Sequence, residues 1–358
     1  MSTTSTEPAV DPTPATLRSS RGTLLEDHDA LFLDLDGVVY VGPRAVPHAV
    51  DALAHARAAG LRLAYITNNA SRPPSAVAEH LRELGIPAEV DEVVSSAQAA
   101  AAHLAGTLPP GAPVLVVGGA GLRLALEAVG LRPVSSLAEE PQAVVQGFSP
   151  DLGWRELTEG THAVRSGLPY VASNLDRTVP HPGGPAPGNG LLVDLVSRAA
   201  GRGPDVVCGK PERPLFDEAI RRAGVRAPLM VGDRLDTDLQ GAVTAGLPGL
   251  LVLTGVTGVA ELLAAGPHER PRFVAADLRG TGDRHPGAEV HLDGTSTTVV
   301  VRGAEVIARA GTVEVVRDAT GEDGLDLLRA AAEVAWQSAD AGRPVDIPAL
   351  ATRVGGRR

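Results

Sequence analysis

Apolar residues in this chain fall mostly into short continuous runs, and the stretches between the runs carry helical spacing. Such runs at 30–33, 61–67, 114–118, 143–147, 168–173, 228–232 and 249–253 predict parallel strands covered on both faces, because a strand with one wet face would alternate. A further strand is expected to end at 205–208. The segment 47–60 opens on proline, keeps helical spacing and stops on glycine, as a helix should. Further helices are predicted over 74–84, 95–104, 122–129, 154–166, 215–223 and 239–245. Strand and helix thus alternate, which predicts an α/β fold with a Rossmann-like doubly wound parallel sheet.

The rhythm restarts near Pro109, as if a unit had been inserted. The expected division is a core made of 23–105 and 206–280, interrupted by an α/β unit at 106–205. Beyond 283 the pattern changes to alternation, with antiparallel strands predicted at 291–302 and 304–317 and a helix at 324–341. That predicts a small α+β extension over 283–358. Residues 1–22 are rich in Ser, Thr and Pro without periodicity, so a disordered N-terminus is expected.

Composition narrows the function. The chain has 358 residues, enough for two or three domains, and is 44% hydrophobic with only 3% aromatic residues. A net charge of −11 disfavours binding to nucleic acid or to an anionic membrane. The one cysteine, Cys208, excludes an intramolecular disulfide and fits a reducing, cytoplasmic setting. The N-terminus is polar and apolar runs such as 247–256 are too short to span a bilayer, so neither a signal peptide nor a membrane segment is expected.

The chemistry sits where strands end. Asp34 and Asp36 follow the first run, and period-2 geometry would put both carboxylates on one side, where they repel unless a cation or a shared proton intervenes. Gly37 lets the chain turn away. Thr67-Asn68-Asn69 ends the second run with a hydroxyl and amides able to cradle an anionic oxygen. Lys210, the chain's one lysine, follows another strand end, where it could neutralise carboxylates or a phosphate. Asp233, Asp236 and Asp238 follow a fourth. Adjacent parallel strands bring such ends to one crevice. Gly118-Gly-Ala-Gly121 is read as a tight strand-to-helix turn, since it lacks the third glycine of a dinucleotide loop. The Pro/Gly-dense loop 174–190 is long enough to be functional.

The set Asp34-Leu-Asp36-Gly, Thr67-Asn-Asn69, Gly209-Lys210-Pro211 and Gly232-Asp233-Arg-Leu-Asp-Thr-Asp238 resembles the four motifs of the haloacid dehalogenase superfamily. With its insert between the second and third motifs, the chain is similar to the C2-capped class IIA phosphatases over residues 24–275. The resemblance implies Mg2+-dependent hydrolysis of a small phosphorylated metabolite. Asp34 would be the nucleophile and Asp36 the general acid and base. Lys210 would offset negative charge, and Thr67, Asn68 and Asn69 would hold phosphate oxygens. Asp34, the Asp36 carbonyl and Asp233 would ligate the metal, with Asp238 orienting Lys210 or a metal-bound water. Asn174, Asp176 and His181 are the candidate substrate contacts in the cap.

Glycerol 3-phosphate is the expected ester, with phosphoglycolate, pyridoxal phosphate or a broad range of sugar and nucleotide phosphates as alternatives. A phosphoacceptor signalling or binding protein is the rival class, disfavoured by Asp36 and the insert. The tail resembles part of an acetyltransferase, and Arg317–Gly324 faintly resembles an acetyl-coenzyme A loop. At about half an acetyltransferase's length it is read as a packing or dimerisation module, which would allow a homodimer.

Overall fold

The computed structural model describes residues 17–355 apart from Pro180, Pro182 and Thr320. Six parallel strands form the core sheet, in the order Phe273–Ala275, Gly249–Val252, Pro228–Gly232, Ala30–Leu33, Arg62–Thr67 and Val93–Ser95. The central strands Ala30–Leu33 and Pro228–Gly232 are buried at every position, which is why their sequence is unbroken apolar. The order is that of a doubly wound sheet, with a switch point where the chain reverses direction around Ala30–Leu33.

The inserted unit has its own parallel sheet: Val206–Val207, Tyr170–Ala172, Ala143–Gln146, Pro113–Val117 and Arg132–Val134. Val206–Val207 pairs with Tyr170–Ala172, so this strand adds to the inserted sheet and not to the core sheet as its place in the sequence predicts. Two valines pair equally well with either neighbour, and nothing in their spacing chooses. The helix Asn189–Ala200 also goes unpredicted, because Gly188 at its N-cap and an Asn-Gly start read as loop. Gly121 explains the glycine cluster of the insert: its N–H donates to Ser71 O at 3.2 Å, and a Cβ there would collide with the Ala70 carbonyl. The cluster is a joint between insert and core.

In the tail each predicted strand is a hairpin. Glu289–Asp293 pairs with Ser296–Val301, and Ala304–Arg309 with Thr312–Arg317, giving a four-stranded antiparallel sheet. The turns need left-handed backbone at Gly294, which follows Asp293 as in an Asp-Gly hairpin turn, and at Ala310 and Gly311, which carry no such mark. The helix Asp326–Asp340 packs on that sheet and buries Leu328, Ala332 and Trp336. Trp336 donates to Leu262 O at 2.9 Å and Arg270 forms a bidentate pair with Asp340 at 2.6 and 2.8 Å, tying the helix to the core.

Of the segment expected to be disordered, residues 1–16 lie outside the described residues, whereas 17–22 are held in place. Leu17 is buried, its N–H donates to Glu333 at 2.9 Å, and Ser20 N–H donates to His285 O at 3.0 Å. One buried leucine with backbone partners outweighs the local polarity. No helix among the described residues is long and apolar enough to cross a membrane.

Candidate active site

The strand Ala30–Leu33 stops one residue short of Asp34, and this changes the expected pairing of the two acids. Asp34 still points inward, with its N–H bonded to Val231 O at 2.9 Å. Beyond it the chain turns through Gly37 at φ 86°, where Gly37 N–H donates to Tyr40 O at 2.8 Å. Asp36 therefore stands on a turn, exposed, at the mouth of the crevice. The protein packed around its carboxyl raises its pKa by desolvation, partly offset by the charges of Lys210, Arg72 and His80.

Lys210 is buried, its ammonium in contact with Asp34 Oδ1 and 2.7 Å from Asp238 Oδ1. Burial works to lower its pKa, but the carboxylates of Asp238 and Asp34 outweigh it and hold the ammonium above its ordinary range. Asp34 itself is pushed up to about 8, first by burial and then by Asp238 and Asp233, against the opposing pull of Lys210. Asp233 is pushed up to about 6, again by burial and then by Asp238. Three acids around one lysine leave the crevice short of positive charge.

The acids differ in what they have to spare. Asp238 Oδ2 accepts from the N–H groups of Asp233 and Arg234 at 3.2 Å each, and its Oδ1 is ion-paired with Lys210 at 2.7 Å. Asp233 Oδ2 accepts from Val256 N–H at 2.7 Å, while its buried Oδ1 has no partner. Oxygens of Asp34, Asp233 and Asp238 lie within 4.8 Å of one another. An orphaned buried carboxylate oxygen beside another carboxylate, in an all-oxygen donor set, fits a hard divalent cation such as Mg2+. The turn after Asp36 runs close to them, since a Cβ on Gly37 would lie 2.6 Å from Asp233 Oδ2.

The Thr67-Asn68-Asn69 turn is more committed than its sequence conveys. Thr67 Oγ1 accepts from Asn69 N–H at 3.1 Å, and Asn69 Oδ1 accepts from Ser71 N–H and Oγ–H at 2.9 and 2.8 Å. Asn68 uses its side chain on Lys210 and on Asp176. In the cap loop, Asn174 is buried with its amide bonded to Asn68 O at 2.7 Å, and Asp176 is half-buried with its carboxyl raised by desolvation, partly offset by Asn68 and Lys210. His181 differs from both. It is exposed on the turn joining Thr178–Val179 to Ala186–Pro187, and its Nδ1 accepts from Gly183 N–H at 3.2 Å, so it serves the hairpin.

Residues not singled out in the sequence complete the rim. Arg234 pairs with Asp236 at 2.7 Å and carries its charge close enough to act on Asp176 and Asp238. Asp236 is thus an exposed partner of Arg234. Tyr40 flanks Asp36, its ring 4.9 Å from that of His80. Only the position of Arg234 beside Asp233 could have drawn attention to it.

A half-buried Asp held by a Lys, a second acid on the following turn and an acid pair just after a neighbouring strand define a phosphoryl-handling crevice. Family profiles agree: that of the haloacid dehalogenase-like hydrolases matches residues 31–132, and a HAD-hydrolase-like profile matches 207–281. The chain belongs to the haloacid dehalogenase-like hydrolases. It is 42% identical over 337 residues to D-glycerol 3-phosphate phosphatase of Mycobacterium tuberculosis, covering 91% of this chain and 92% of that protein. To the glycerol-3-phosphate phosphatase of Gallus gallus it is 38% identical over 262 residues, covering 67% of this chain and 84% of the relative. The crystal structure of glycerol phosphate phosphatase from M. tuberculosis with magnesium superposes with a TM-score of 0.79 at 40% identity, over 92% of this chain and 98% of that one.

Proposed function

We propose that this protein is a Mg2+-dependent phosphatase that hydrolyses glycerol 3-phosphate to glycerol and phosphate. The observation that carries the chemistry is Asp34, a carboxylate fixed at a strand end between Lys210 and the unpartnered oxygen of Asp233. The similarity to two glycerol-3-phosphate phosphatases, one of them along nearly the whole chain, supports the ester.

In this reading a carboxylate oxygen of Asp34 attacks phosphorus in line, forming an acyl-phosphate as the P–O bond to the glycerol oxygen breaks. Asp36, whose pKa is raised by desolvation, gives a proton to the departing oxygen. Asp36, now a carboxylate, then takes a proton from the water that attacks phosphorus and frees Asp34. Lys210 stays charged throughout and offsets the negative charge gathering on the phosphoryl oxygens. Asp34, Asp233 and the Asp36 carbonyl would hold Mg2+, which supplies positive charge against the phosphate. The insert, from about residue 106 to the strand Val206–Val207, acts as a lid that excludes water and admits only small esters, and the tail, 283–358, as a packing module.

A panel of glycerol 3-phosphate, phosphoglycolate, pyridoxal phosphate and a hydroxyl-free alkyl phosphate, assayed with Mg2+, tests the assignment. Glycerol 3-phosphate should have the highest kcat/KM, with the alkyl phosphate well below it because a site built for hydroxyls rejects an ester lacking them. Preference for phosphoglycolate or pyridoxal phosphate would overturn the ester and keep the reaction class.

A further inference from the structure

We propose that Asn68 is a positioning residue through which the seating of the insert sets the place of Lys210, with Asn174 and Asp176 as its hold on the insert. The inference rests on the phosphatase reading but not on which ester is cleaved.

The Asn68 amide spans the backbone of Lys210: Lys210 N–H donates to Oδ1 at 2.7 Å, and Nδ2–H donates to Lys210 O at 3.0 Å. Both peptide groups flanking the Lys210 Cα are thereby fixed. The same Nδ2 reaches Asp176 Oδ1 at 3.1 Å, while the Asn68 carbonyl accepts from Asn174 Nδ2 and from Ser96 Oγ, each at 2.7 Å. One residue therefore joins the lysine's main chain, the core helix Ser96–Ala105 and the insert.

The path of the chain gives this junction its importance. Lys210 comes three residues after Val207, the end of a strand of the inserted sheet, so the backbone that carries it is anchored on the insert side and meets the core at Asn68. The approach is close: a Cβ on Gly209 would lie 2.6 Å from Asn68 Oδ1 and 2.7 Å from Ser173 O. A lysine whose ammonium must touch both Asp34 and Asp238 tolerates little backbone drift, since a misplacement of about 1 Å at such a group can cost roughly 10²-fold in rate. The competing role for Asn174 and Asp176, direct contact with the ester's hydroxyls, meets groups already engaged. Asn174 Oδ1 accepts from Asp176 N–H at 3.1 Å and its Nδ2 is bound to Asn68.

A double-mutant cycle tests this. Asn68→Ala, Asp176→Ala and the double variant are assayed on glycerol 3-phosphate and on p-nitrophenyl phosphate, with thermal unfolding followed in parallel. Acting through Lys210, each single substitution should lower kcat by roughly 10-fold or more on both esters, with KM within about threefold of wild type. The double variant should then be no slower than Asn68→Ala, and Asp176→Asn, whose carbonyl oxygen can still accept from Asn68, should recover most of the loss. Losses confined to glycerol 3-phosphate and expressed in KM would make Asp176 a substrate contact and overturn the proposal. So would losses that multiply, or a wild-type kcat in Asp176→Ala. Should Asn68→Ala fail to fold, the comparison of Asp176→Ala with Asp176→Asn decides. A wild-type protein inert toward glycerol 3-phosphate would sink the ester assignment alone, because the aryl phosphate series still reads out the lysine.

Discussion

Two clusters of charge, one at the ends of the central core strands and one against the edge strand Phe273–Ala275, are balanced differently. In the crevice, Asp34, Asp233 and Asp238 surround one ammonium, and one oxygen of Asp233 is orphaned. In the tail, Arg329 is 2% exposed and donates to Asp323, to Asp326 at 3.1 Å and to Val274 O at 2.6 Å, with Arg302 placed 3.5 Å from Asp326. There two guanidinium groups meet two carboxylates, so the charges cancel even though Asp326 Oδ2 also lacks a partner, and Arg329 closes the Val274 carbonyl at the edge strand of the core. Arg329 outweighs burial and holds Asp323 below its ordinary range, although Asp326, at the buried helix start, is raised by burial. A balanced cluster fastens one part of a protein to another, whereas an unbalanced one needs something from outside.

The comparison breaks most visibly at Asp34. Asp34→Asn keeps the volume but cannot form the acyl-phosphate, and turnover should fall by on the order of 10⁴-fold or more with the fold retained. Phosphate release near the wild-type rate, measured on protein with a native melting profile, would remove Asp34 from the mechanism. Asp36→Asn comes next, with a loss of roughly 10² to 10⁴-fold. That loss should be larger for glycerol 3-phosphate than for p-nitrophenyl phosphate, whose leaving oxygen needs less help from a proton. Equal losses on the two esters would contradict protonation of the leaving group by Asp36.

The tail cluster should fail in the opposite way. Arg329→Met leaves Asp323 and Asp326 without their buried partner, a change that costs about 3–5 kcal/mol of stability. The protein that remains folded should keep its kcat and its ranking of esters. A soluble Arg329→Met protein with altered ester preference would show that the tail shapes the crevice.

How much of this could be read in the sequence follows the same physics. Acids placed just after unbroken apolar runs are legible, because a fully buried parallel strand has few other ways to end and its carboxyl end faces the crevice. Asp34 and Asp233 are located on that basis. Long-range partners were not legible. Lys210 was expected at the end of a core strand, but Val206–Val207 joins the inserted sheet, and a two-residue strand carries no mark of its partner. Asn68 gave no sign that its amide would be spent on the Lys210 backbone, since any Asx turn has the same composition. The helix Asn189–Ala200 is hidden by Gly188 and Asn189, and the second tail hairpin by a turn at Ala310-Gly311 that has neither a proline nor an Asn-Gly or Asp-Gly pair, whereas Asp293-Gly294 of the first hairpin is a legible turn signal.

The smallest effect concerns pH and tests the charge imbalance itself. Acids whose folded pKa is raised, as Asp34 is to about 8 and Asp233 to about 6, cost nothing while protonated in both states. Their penalty begins above the ordinary carboxylate range and is complete once the pH passes the folded values. Stability without a divalent cation should therefore drain away from these two groups between about pH 4 and pH 8. Added Mg2+ competes with protons for the same oxygens, so at pH 6 it must displace the proton of Asp34 and part of that of Asp233, while at pH 8.5 it meets two carboxylates. The rise in Tm on adding millimolar Mg2+ should accordingly be larger at pH 8.5 than at pH 6, by a few degrees for the roughly 1.4 kcal/mol that each pKa unit represents. Arg329→Met should show the same pH dependence, because its cluster lies outside the crevice. A Mg2+ shift independent of pH would mean that the crevice is not short of positive charge and would remove the distinction between the two clusters.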